Sequence, residues 1–122
     1  MDRLKECIDD FVQQKWLSSI ALAQTISEYS TAYFIQNYIV KNSIFPVLKD
    51  VHMIKNQRDR INLLDRLKII DNDDKMYLEL INEIRDTYLH VRDTQSEKTR
   101  EESLKVITAL NKLLTKHSIV LT

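Results

Sequence analysis

The chain has 122 residues, no glycine and one proline, Pro46. That absence constrains the fold more than any motif does. Phosphate-cradling loops depend on glycine, and so do the tightest hairpin turns. Helices need glycine only at their ends, so the sequence predicts an all-α fold. At this length the chain makes one domain with one core, spanning residues 1–122. The expected architecture is an antiparallel helical bundle of four to six helices.

Acids and bases are equal in number, at 18 each, so the net charge is zero. Phosphate backbones reward excess positive charge, so the overall balance does not favour strong nonspecific nucleic-acid binding. The charge is nevertheless segregated. Between Lys41 and Lys68 there are seven bases and three acids; between Asp71 and Asp86 there are six acids and two bases. Either two solvated helix faces attract each other, or the basic segment guides an anion.

Cys7 stands alone, so no internal disulfide or cysteine-based zinc site is open to it. The charged start, Met1 to Glu6, does not read as a secretory signal. The apolar region from Trp16 to Val40 carries Gln24, Glu28, Gln36 and Asn37, which argues for buried helix over a membrane span. A cytoplasmic protein that does not enter the membrane is expected, with no cofactor.

Apolar periodicity predicts helices over 2–13, 16–41, about 46–55, 57–70, 73–91 and 97–117. Leu4, Ile8, Phe11 and Val12 mark the first. The second is apolar on more than one face, with Trp16, Ile20, Ala23 and Phe34 on one side and Ile26, Tyr29 and Tyr33 on another. Such a helix belongs in the middle of a bundle or in an interface. Tyr29, Tyr33 and Tyr38 can stack on bases, but aromatics at this spacing more commonly fill a core. Glu28 is the one charge among them, with three readings: surface, cross-core pair, or part of a site. Ser43 caps the third predicted helix and Pro46 enters its first turn; His52 there reads as structural.

The run Asp71-Asn72-Asp73-Asp74 fails the calcium-loop template, which needs Gly where Met76 stands and Glu where Asn82 stands. It reads as a turn with carboxylates capping the next helix. That helix has Tyr77, Ile81, Ile84, Tyr88 and Val91 on one stripe. Ser96 caps the last helix, whose Leu104, Ile107, Ala109 or Leu110, and Leu114 are expected inward. Ile119-Val120-Leu121 packs back on the bundle or meets a partner.

One stretch carries residues suited to chemistry: Ile84-Arg85-Asp86-Thr87-Tyr88-Leu89-His90. An Arg offers an anionic oxygen a planar fork of donors, and a His exchanges a proton near neutral pH. Five residues apart on a regular helix, Arg85 and His90 sit about 140° apart around its axis. A straight helix does not aim both at one point. Either the helix ends or distorts near His90, or a second copy completes the site across a two-fold axis. The plain alternative is that Arg85 pairs with Asp86, Glu83 or an acid on a neighbouring helix, while His90 is a surface residue.

Arg85-Asp86, three residues, then His90, late in a helical chain, resembles the signature of the HEPN domains: Arg, a polar residue, a short spacer and His. Two flanking segments add to the likeness. Arg60 to Ile70 followed by Leu80 to Asp86 looks like HEPN domains of the mannitol-repressor kind, and Trp16 to Glu28 is similar to their small-residue opening helix. Asp86 stands where Asn is commoner. The resemblance covers about Trp16 to His117.

It implies a HEPN-like bundle, a homodimer with both motifs facing one cleft, and metal-independent RNA cleavage. His90 would be the general acid or base, Arg85 would hold the phosphate, and Asp86 would orient one of them or a water. An endoribonuclease of this type would be the toxin of a toxin–antitoxin pair, or part of antiviral defence, with an antitoxin as partner. The alternative within the family is a non-catalytic regulatory or protein-interaction module with a protein partner.

Overall fold

The structure is a computed structural model and describes residues 3–42, 56–88 and 97–119. Within them the chain forms α1 (Arg3–Val12), α2 (Trp16–Asn42), α3 (Gln57–Arg66), α4 (Asn72–Thr87) and α5 (Glu97–His117). The fold class is all-α. The helix predicted over 46–55, with Ser43, Pro46 and His52, lies outside the described residues, as do His90, Val91, Ser96, Val120 and Leu121.

Side-chain contacts give the directions. α1 folds back on α2 through Cys7 and Ser19: Ser19 Oγ donates to the Cys7 carbonyl at 2.9 Å, and Cys7 Sγ reaches the Ser19 carbonyl at 3.2 Å. α4 runs against α5, since Asp74 at the start of α4 meets His117 at the end of α5, and Tyr77 lies under Lys112. α2 runs with α5, because Arg100 sits over Phe11 beside the start of α2 while His117 meets Phe34. α3 begins beside Ser27 and Thr31 and ends near Tyr38 and Lys41, so it too runs with α2.

The helices share one core. Ile20, Ile26, Ile61, Leu64, Leu78, Ile81, Leu110 and Leu113 are its largest fully buried aliphatic side chains. Each contributes roughly 1.5–3 kcal/mol by leaving water. A small residue allows the close approach of α1 to α2, since Ser19 meets Cys7 and has no exposed surface. Cys7 is likewise fully buried, and burial pushes its thiol up from the ordinary value.

Several positions differ from the sequence reading. In α1 the buried anchor is Cys7, whereas Ile8 and Val12 are exposed. Tyr29 is 52 % exposed, not core. Leu104 is exposed as well; the inward stripe of α5 is Val106, Ile107, Leu110, Leu113 and Leu114. Hydrophobicity alone does not choose between apolar neighbours on a helix; the placement of α2 and α4 around α5 does. Ile119 packs back into the core.

The missing glycines reappear as a finding about helix ends. Gln14, Lys68 and Ser118 hold φ of 63°, 57° and 52°, the left-handed region that glycine ordinarily takes. Each follows a helix and closes the same pair of bonds. Lys15 N–H donates to the Asp10 carbonyl and Gln14 N–H to Phe11; Ile69 to Leu64 and Lys68 to Asp65; Ile119 to Leu114 and Ser118 to Thr115. These are Schellman closures built without glycine. They end α3 at Arg66, short of the predicted residue 70.

The acidic turn caps α4 as expected. Asp71 accepts from the Asp74 backbone N–H at 2.9 Å, and the Asp74 side chain reaches back to the Asp71 N–H at 3.3 Å. Asp74 is buried and also holds α5, with Lys116 Nζ at 3.1 Å and His117 Nε2 at 2.9 Å. Lys116 also pairs with Asp71. The acidic segment therefore answers the last turn of α5. The Asp65–Lys75 pair, 3.0 Å long, joins an acid of the basic segment to a base of the acidic one, the reverse of the simple attraction of opposite segments.

Candidate functional site

A polar stripe runs through the otherwise apolar α2. Gln24, Ser27 and Thr31 recur at helical spacing and are all buried. Buried polar groups need partners, and apart from Gln24 Oε1, which has none, these find them on α3 and α4. Gln24 Nε2 donates to Asn82 Oδ1 at 2.9 Å. Thr31 Oγ1 donates to Gln57 Oε1 at 3.2 Å, and Gln57 Nε2 donates to Ser27 Oγ at 3.3 Å. Arg60 closes the group on Gln57 Oε1 at 3.1 Å. The network fixes the start of α3 and the last turns of α4 against α2.

A cavity of about 500 Å³ opens at this junction. Glu28, Asn56, Gln57, Arg58, Asn82, Arg85 and Asp86 line it. Asn56 is held there as the N-cap of α3, accepting from the Arg58 N–H at 2.8 Å. Glu28 is tethered by Gln24 Nε2, 3.4 Å from its Oε1. Glu28 is half-buried and shares this cavity with Arg85.

Arg85 and Asp86 sit in the last turn of α4. Arg85 Nε is buried and lies 3.2 Å from Asp86 Oδ1, but off the N–H direction. The contact is electrostatic, and the Nε–H is left without a hydrogen-bond acceptor. A buried donor in that condition costs free energy unless something fills the acceptor position. Two guanidinium-bearing residues, Arg58 and Arg85, and two carboxylates, Glu28 and Asp86, share the cavity. It can hold an anionic group and position hydrogen-bonding groups around it.

The helix expected to reach residue 91 closes at Thr87, with Tyr88 as C-cap at φ −96° and ψ 3°. Arg85 and Asp86 are brought together at the cavity, and His90 lies outside the described residues. The sequence reading missed Gln24, Asn56, Gln57, Arg58 and Asn82. Their one legible signal was the polar spacing of Gln24, Ser27, Glu28 and Thr31 inside an apolar helix.

Fold and site together define an all-α bundle with a charged cavity where α2, α3 and α4 meet. Comparison with protein-family models, curated proteins and solved structures gives no match. Among the described residues no helix is long and apolar enough to cross a membrane.

Proposed function

We infer that the cavity at Arg85 is an RNA phosphodiester site and that the chain acts as a HEPN-type endoribonuclease. The carrying observation is that Arg85, a partly exposed side chain whose buried Nε–H has no hydrogen-bond acceptor of its own, lines a polar cavity together with Arg58, Glu28 and Asp86. In this reading the Arg85 guanidinium holds the scissile phosphate and offsets the charge that grows on it in the transition state. Asp86 and Glu28 orient the guanidinium or a water. His90, three residues beyond the end of α4, takes the proton of the ribose 2′-hydroxyl or returns one to the leaving oxygen. Attack by the 2′-oxygen on phosphorus forms a 2′,3′-cyclic phosphate and expels the 5′-oxygen of the next nucleotide. The resemblance supplies the remaining parts: no required metal, a homodimer that sets two motifs on one cleft, and an antitoxin as partner if the protein is a toxin.

The end groups of the products test this chemistry. RNA incubated with the protein is expected to carry 2′,3′-cyclic phosphate and 5′-hydroxyl ends. Products with 5′-phosphate ends would exclude attack by the 2′-hydroxyl.

A second reading is a non-catalytic HEPN-like regulatory module. The observation favouring it is an apolar groove of about 550 Å³ between α4 and α5, with Met76 and Leu104 exposed along it. An exposed apolar strip of this kind suits a protein partner. A folded parent that cleaves no RNA but co-purifies with a specific protein through this groove would favour the module.

A further inference from the structure

Among the described residues, Arg58 is the base of the Lys41–Lys68 segment that lines the Arg85 cavity. The fold does something specific with the segment's two ends. Lys41, in the last turn of α2, and Lys68, just past α3, line one cavity of about 410 Å³ together with Phe34, Asn37, Tyr38 and Ile69. No acid lines it. Neither lysine makes an ion pair among the described residues, and both are exposed. Half-buried Tyr38 and the buried Phe34 give the cavity an aromatic wall, and Asn37 adds an amide.

We propose that this cavity is a nucleotide-binding site, in which Lys41 and Lys68 hold a phosphate and the base lies against the Tyr38–Phe34 wall. Two cations with no competing carboxylate among the described lining residues suit a phosphate, and a lysine binds phosphate as a compact point charge. An aromatic wall adds affinity for a base of any sequence. The volume falls in the range of small-ligand sites. The site lies at the far end of α3 from Arg58, so it goes beyond the Arg85 reading and does not depend on cleavage there. The nucleotide can be one unit of an RNA strand or a free nucleotide.

A helix C-terminus welcomes a lysine for its own stability, and both lysines occupy such positions. That role requires neither the cavity nor the aromatic wall, and the variants separate the two. Lys68 has the left-handed backbone that glycine tolerates best, so Lys68→Gly removes the charge while favouring the fold.

The test uses fluorescence anisotropy of a labelled 2′-O-methyl octanucleotide, which resists cleavage through the 2′-position, with AMP and inorganic phosphate as competitors. The proteins are the parent, Lys41→Ala, Lys68→Gly, the double variant and Tyr38→Leu, each checked by circular dichroism and melting. Each lysine variant is expected to weaken binding about five-fold, and the double variant is expected to reduce the salt dependence by about one phosphate contact. Tyr38→Leu is expected to weaken binding as well. AMP displacing the strand at concentrations well below phosphate identifies a free-nucleotide site; displacement only by longer strands identifies an RNA subsite. Unchanged binding in the folded double variant, or no binding of either the strand or AMP by the parent, overturns the proposal. Equal competition by AMP and phosphate, with no effect of Tyr38→Leu, overturns the nucleotide assignment.

Discussion

Gln24 Nε2 donates to Asn82 Oδ1 at 2.9 Å, a buried bond between residues 58 positions apart that ties the middle of α2 to α4 one turn before Arg85. The same amide reaches Glu28. One glutamine thus sets two walls of the Arg85 cavity. Removing its acceptor leaves a buried donor with only the longer contact. Asn82→Ala is expected to cost about 1–3 kcal/mol of stability and to loosen the seating of Arg85. Urea unfolding measures the first effect, and RNA cleavage or binding measured on the folded fraction gives the second. A stability unchanged from the parent would mean that the bond contributes nothing net.

The three helix ends at Gln14, Lys68 and Ser118 give a prediction of opposite sign. A left-handed non-glycine residue costs about 1–2 kcal/mol, part of which is returned because glycine loses more backbone freedom on folding. Gln14→Gly and Ser118→Gly are each expected to stabilise by about 0.5–1 kcal/mol and to raise Tm. Gln14→Val, with a branched β-carbon, is expected to lower it. Thermal melts of the three variants check the prediction. It fails if the glycine variants melt below the parent.

Acid sensitivity traces to the turn before α4. The hydrogen bond from Lys116 and the Asp74 backbone N–H hold the Asp71 carboxyl down at about 2, from an ordinary 3.8. A carboxyl with a depressed folded value stabilises the fold above its unfolded value, and that stability is lost as pH falls through the folded one. The Asp71 contribution is therefore present above pH 4 and disappears between about pH 4 and pH 2. Melting of the parent between pH 5 and pH 2 is expected to fall more steeply than that of Asp71→Asn. Parallel curves would show that Asp71 is not held in the folded state.

The fold was largely legible and the site only in part, for a physical reason. Helices over 16–41 and 97–117 followed from apolar spacing and stand at 16–42 and 97–117. Asp71 and Asp74 announced a cap because acid at a helix start has a local cause. The errors came where tertiary packing decides. Tyr29 and Leu104 carry the right character for a core, but the faces of their helices that meet neighbours lie elsewhere. The end of α3 was hard to read, predicted at 70 and standing at Arg66, because its usual marker, glycine, is absent. Arg85 and Asp86 were visible as chemistry. Gln57 and Asn82 were not, since a buried amide is recognisable only once its partner on another helix is known.

The most direct test of the Arg85 site is cleavage of a mixed RNA pool by purified protein in excess chelator, beside Arg85→Ala and His90→Ala. Arg85 is partly exposed and outside the apolar core, so a folded Arg85→Ala variant serves as a control for contaminating nuclease. The parent is expected to cleave, and either substitution is expected to lower the rate at least about a hundred-fold, the scale of one positioned acid–base or electrostatic group. A folded, pure, dimeric parent that leaves the RNA intact, or an Arg85→Ala variant that cuts at the parental rate, would contradict the ribonuclease account.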